Sequence, residues 1–165
     1  MKEIKISKLT RDAFAPFGTF TKLVDYNTER FGFFPDLIQL NLGGTHLPSF
    51  SVNRNQETEV KIIRGAEGHT NTGEGIMPID GDILIHVAPP SRPDRLDSSL
   101  IKVFLVPAGT FVALRPGAWH LSPFPYKKEI VYTMVVLPER TYAKDSYHVR
   151  FEEADYIQIL DEFED

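Results

Sequence analysis

Val131-Tyr132-Thr133-Met134-Val135-Val136-Leu137 contains no charge, no glycine and no proline, and four of its residues are β-branched. It is too apolar to leave one face in water, so it reads as a central strand covered on both sides. Ile83-Leu84-Ile85-His86-Val87 has the same character. Around these two lie shorter apolar segments at 50–53, 60–63, 75–77, 101–106 and 110–114, and the two central segments extend over 82–88 and 130–136. Pro78 with Gly81, Pro89-Pro90, Pro107 with Gly109, and Pro116-Gly117 separate them as turn signals. Many short strands with tight connections predict an all-β sandwich or barrel with little helix. One helical turn is expected at Arg11-Asp12-Ala13-Phe14, capped by Ser7 or Thr10 and ended by Pro16 and Gly18. The polar segment 88–98 connects two strands. The tail 152–165 is expected to be a closing strand or a loosely held acidic helix, with its carboxylates in solvent.

At 165 residues, 42% of them apolar and 25% charged, the chain is of a size and composition for one folded domain over 1–165. Its net charge of -5 gives no basic footprint for nucleic acid, which makes small molecules the better partners. No stretch has the length or apolarity of a signal peptide or a bilayer span, so a cytoplasmic, membrane-free protein is expected. With no cysteine, a metal would have to be held by histidine, carboxylate or carbonyl groups.

Two segments carry candidate chemistry. Glu67-Gly68-His69-Thr70-Asn71-Thr72-Gly73-Glu74 places residues 67, 69 and 71 on one side of an extended chain, so Glu67, His69 and Asn71 are expected to point together into a barrel mouth. Arg115-Pro116-Gly117-Ala118-Trp119-His120 is a Pro-Gly turn that would present His120 to the same interior. His46, His86 and His148 are read as structural.

These two segments resemble the paired motifs of the cupin superfamily: His69, Asn71, Glu74 and Gly81 approximate the first, and Pro116, Gly117 and His120 the second. The resemblance implies a double-stranded β-helix (jelly-roll) barrel. It also implies a divalent metal on His69, Glu74 and His120, because Asn71 stands where the motif has its second histidine.

A closer resemblance, over residues 10 to 137, is to the ureidoglycolate lyase family, enzymes of purine and allantoin degradation that release urea and glyoxylate. It is carried by Phe14-Ala15-Pro16-Phe17-Gly18, Asn27-Thr28-Glu29-Arg30-Phe31, Ser51-Val52-Asn53-Arg54, Glu67 with His69 and Pro78, Gly81-Asp82, Pro93-Asp94 and Gly117-Ala118-Trp119-His120. Glu74 stands where the family often has Gln, while Arg115 and Leu121 stand where it often has His. The resemblance implies acid–base work in which His69 or Glu67 takes the proton and His120 is the other partner or a metal ligand, a substrate carboxylate held by Arg54 or Arg115, Trp119 as a further substrate-binding residue, and a homodimer. Two other functions fit a barrel of this kind: a metal-dependent cupin acting on a sugar or sugar acid in the manner of an isomerase, and a non-catalytic small-molecule-binding cupin.

Overall fold

The computed structural model describes residues 1–24, 36–44 and 46–164. Asn27 to Phe31, which contribute to the family resemblance, lie outside the described residues. In chain order the elements are β1 (Lys2–Ser7), α1 (Arg11–Phe14), β2 (Gly18–Lys22), β3 (Pro48–Gln56), β4 (Ile62–Ile63), β5 (Gly65–Gly68), β6 (Glu74–Pro78), β7 (Ile83–Ala88), β8 (Lys102–Val106), β9 (Thr110–Leu114), β10 (Trp119–His120), β11 (Phe124–Pro125), β12 (Ile130–Pro138), α2 (Thr141–Lys144), β13 (Tyr147–Arg150) and β14 (Ile157–Phe163). Each α-helix is a single four-residue turn. In α1 the Thr10 hydroxyl accepts from the Ala13 amide, which makes Thr10 and not Ser7 the cap.

The strands form two sheets. One runs β13-β5-β10-β7-β8-β1-β14-β4, with β11 also paired to β7, and the other runs β2-β9-β6-β12-β3. Pairing is antiparallel except where β1 lies parallel to β14 and β8. This is the all-β barrel expected from the sequence, with the segments at 83–87 and 131–137 inside their sheets as central strands.

Register decides which side chains meet. Ile83, Ile85 and Val87 of β7 pack with Phe104, Val106, Val112, Leu114, Ile76 and Val131 between the two sheets, over an aromatic cluster of Phe14, Phe17 and Phe104. The alternate residues Leu84 and Ala88 face a second layer with Trp119, Ile63, Val103, Ile6, Ile157 and Ile159. A third, smaller layer on the outer side of the five-stranded sheet joins Phe111, Ala113 and Val136 to Ile38 and Leu40.

The two chain ends form strands that close the larger sheet. In β1 the alternation of Ile4 and Ile6 buries Ile6 completely, a pattern masked in the sequence by the flanking charges. The tail is strand, not helix: Ile157 and Ile159 are buried, Glu162 pairs with Lys5 at 2.8 Å, and the Glu164 carboxylate accepts from Ser7 and Lys102. Among the described residues no helix is long and apolar enough to cross a membrane.

Candidate metal centre

Three pieces of backbone converge at one end of the inter-sheet layer. The first is β5, buried along its whole length, which carries Glu67 and leads directly into His69. The second is the loop 70–73, which returns the chain to Glu74 at the start of β6. Glycine is required at position 73 because a Cβ there would lie 2.2 Å from the Leu114 carbonyl oxygen. The third is the turn 115–118, where Gly117 at φ 79 reverses the chain and its amide donates to the His69 carbonyl at 2.6 Å. His120 then enters β10 directly opposite Glu67 on β5 and Val87 on β7, so its ring faces the layer between the sheets.

Glu74 Oε2 lies 3.1 Å from His69 Nε2 and 2.9 Å from His120 Nε2, with all three side chains buried. The other ring nitrogens have backbone acceptors: His69 Nδ1 donates to the Asp145 carbonyl at 2.8 Å, and His120 Nδ1 to the Ala118 carbonyl at 3.0 Å. Those bonds place the hydrogen of a neutral imidazole on Nδ1 and leave a lone pair on Nε2. Two lone pairs therefore face one carboxylate oxygen, which is stable only with positive charge among them, either a proton or a metal ion.

The electrostatics follow from this. Burial pushes Glu74 toward its neutral form, but the charges and hydrogen bonds of His120 and His69 outweigh it and hold the carboxyl at about 2. Burial likewise opposes charge on His120, yet Glu74, helped by Glu67, raises it to about 9.

The donor set also suits a divalent ion. The three ligand atoms lie within 4.8 Å of one another. Ligands at about 2.1 Å from a common ion are about 3 Å apart when they meet at right angles, close to the spacing from Glu74 Oε2 to each histidine. Two imidazoles and a carboxylate are ordinary ligands for such an ion, and each histidine is already oriented through its second nitrogen.

The sequence profile of the ureidoglycolate lyase family matches residues 1–158. The chain belongs to that family. Its fold is the two-sheet, all-β barrel described above. No protein with a curated description matches the chain.

Solved structures that are similar in outline include RmlC from Streptococcus suis in complex with dTDP-D-xylose, at 12% identity and TM-score 0.44, covering 65% of this chain and 52% of that one. Another is dTDP-6-deoxy-D-glucose-3,5-epimerase from Legionella pneumophila, at 12% identity and TM-score 0.47, covering 79% of this chain and 65% of that one. A third is dTDP-4-dehydrorhamnose 3,5-epimerase from Bacillus anthracis, at 18% identity and TM-score 0.42, covering 63% and 61%. The chain thus spans between about half and just under two thirds of the length of these proteins.

Other residues singled out in the sequence are placed elsewhere. Asn71 does not point into the barrel with His69: the strand ends at Gly68, and Asn71 is exposed, with its amide and side chain both donating to the Asp145 carboxylate. Trp119 is buried in the second layer, its indole N–H donating to Ser91 Oγ at 2.7 Å, because neighbours on a strand point to opposite faces and His120 takes the inner one. The Arg115 guanidinium donates to the Ala15 carbonyl at 2.6 Å. Arg54 pairs with Tyr132 across the sheet, on the face opposite buried Thr133, and bonds to Gln56; with Arg64 and His86 it lines an outer groove of about 680 Å³. The structure does not bring these three substrate-binding candidates to His69, Glu74 and His120.

Glu67, by contrast, is buried on the same face as His120. Two groups that the sequence reading set aside or missed also reach the centre. His148, on β13, lies opposite Glu67 with Nδ1 3.4 Å from its carboxylate. Tyr142 of α2 stands edge-on to the His69 ring at 6.0 Å. His86 faces the second layer, and burial holds it down at about 4, in its neutral form.

Proposed function

We propose that this chain is a carbon–nitrogen lyase that releases urea and glyoxylate from ureidoglycolate or a closely related hydroxy or ureido acid. The observation that carries the reading is the family match across residues 1–158. The buried cluster supports it with suitable chemistry. His69, Glu74 and His120 would hold a divalent ion, which when bound supplies positive charge against the carboxylate and hydroxyl oxygens of the acid.

Glu67 then serves as the base. It is buried at the centre, lies across from His120, and is not one of the three ligand-bearing residues. It takes the proton of the substrate hydroxyl, the C–O bond becomes a carbonyl as the C–N bond breaks, and the departing urea nitrogen receives a proton. The proton count balances because the hydroxyl loses one and urea gains one. In this reading His148, whose Nδ1 lies 3.4 Å from the Glu67 carboxylate, helps pass that proton on to the urea nitrogen. The active unit in this reading is a homodimer.

The test is glyoxylate release from ureidoglycolate, with metal content measured on the same samples of wild type and His120→Ala. Stoichiometric metal and glyoxylate in wild type, both lost in the variant, is the expected result. Metal without glyoxylate in wild type would refute the lyase assignment.

A further inference from the structure

The chain leaves β12 at Pro138 and turns sharply through Arg140, whose φ of 60 and ψ of 22 put a non-glycine residue in the left-handed region. Such a conformation persists where its surroundings enforce it, and it often marks a site. Here the surroundings do enforce it. Thr141 is buried and its hydroxyl donates to the Pro138 carbonyl at 2.8 Å, which fixes the start of α2. The Asp145 amide donates to the Thr141 carbonyl at 2.8 Å, closing the turn. Asp145 then grips the metal-site loop: its carboxylate accepts from the amides of Thr70 and Asn71, and its carbonyl accepts from His69 Nδ1.

What this bracing holds in place is Tyr142. Its ring meets His69 edge-on, yet the residue is 60% exposed, so it stands between the buried ligands and solvent. Its phenol is protonated at neutral pH and so offers a hydrogen-bond donor. Hydrogen bonds at both ends of the helical turn fix the backbone from which Tyr142 presents its ring at the rim.

We propose that Tyr142 is a substrate-contacting, specificity-determining residue. Its hydroxyl donates a hydrogen bond to an acceptor oxygen of a small carboxylic acid bound against His69, Glu74 and His120. The inference rests on the reading of the site as a lyase centre for such acids.

Tyr142→Phe keeps the ring against His69 and removes the hydroxyl, whereas Tyr142→Ala removes both. On metal-loaded protein with ureidoglycolate, Tyr142→Phe is expected to raise KM about three- to tenfold, the effect of one lost neutral hydrogen bond. Its kcat should stay within about twofold and its metal content should not change. A KM equal to that of wild type, or loss of metal in Tyr142→Phe, overturns the proposal and leaves Tyr142 a structural wedge whose removal only Tyr142→Ala would reveal. If wild type itself releases no glyoxylate, the lyase reading fails, and Tyr142 is then tested by calorimetric titration with glycolate. Weaker binding to Tyr142→Phe than to wild type sustains the proposal; equal binding, or none to either protein, ends it.

Discussion

His69 Nδ1 and the backbone carbonyl oxygen of Asp145 lie 2.8 Å apart although 76 residues separate them in the chain. This bond orients the His69 ring so that Nε2 meets Glu74. The Asp145 side chain holds the adjoining loop through the amides of Thr70 and Asn71 and the Asn71 carboxamide. Asp145 is therefore a positioning residue for the His69–Glu74–His120 cluster. Asp145→Ala should lower stability by about 1–2 kcal/mol, since water can replace part of what is lost at a partly exposed site. It should also weaken metal binding, by less than the roughly tenfold cost of losing an outer-shell partner outright, because the backbone carbonyl that orients His69 is kept while the loop beside it loosens. Thermal unfolding and metal titration check both, and Asp145→Asn, which keeps one side-chain oxygen, should fall between. Metal affinity unchanged in Asp145→Ala would show that the loop holds itself.

The metal-free protein should lose stability at both pH extremes. Glu74 is held at about 2, below its unfolded value of 4.5, so its contribution is present above that value and is lost as pH falls through about 2. His120 is raised to about 9 from 6.5, so its contribution is full below 6.5 and is lost as pH rises through about 9. The two belong to one ion pair and are counted once, on the order of 1–3 kcal/mol. Metal binding has the opposite slope on the alkaline side, because a ligating histidine must give up its proton. Denaturant melts between pH 6 and 9.5 should show declining stability without metal and a flatter profile with excess metal. Parallel profiles would mean that the ion binds elsewhere or not at all.

Gly117 links the turn to the centre. At φ 79 a side chain is strained, and a Cβ would come within 3.2 Å of Pro90 Cβ. Gly117→Ala should cost about 1–2 kcal/mol. Any shift of the turn would also disturb the hydrogen bond from the Gly117 amide to the His69 carbonyl and the entry of His120 into β10. Reduced metal uptake should therefore accompany the loss of stability, whereas a drop in melting temperature with full metal content would separate the turn from the site.

The parts of the centre that could be read in the sequence are those set by local geometry. A Pro-Gly pair before Ala118-Trp119-His120 specifies a tight turn wherever it occurs, and His69 and Glu74 are joined by a loop of only four residues. Trp119 was open to the same logic: on a strand it must face away from His120, so both could not line one site. Asn71 departs from the expected alternation because the strand ends at Gly68 and the loop begins there. Tyr142, Asp145 and His148 were not legible. They reach the centre only because β13 pairs with β5, a contact between segments about 80 residues apart that no local pattern specifies. Similarly, β1 and β14 complete each other through register, and neither has an apolar run that announces a strand by itself.

Glu67 offers the most direct test of the proposed chemistry. Its carboxylate is buried, shares a face with His120, and lies 3.4 Å from His148 Nδ1, a distance too long for a firm hydrogen bond. Glu67→Gln retains the shape and removes the base. If Glu67 accepts the hydroxyl proton, kcat for glyoxylate release should fall by roughly 10²- to 10⁴-fold, with metal content preserved because Glu67 is not a ligand. His148→Gln, which removes only the group proposed to help pass the proton from Glu67 to the departing urea, should lower kcat less and leave KM near its wild-type value. Full activity in Glu67→Gln would transfer the role of base to one of the histidines, and loss of metal in that variant would make Glu67 part of the coordination sphere.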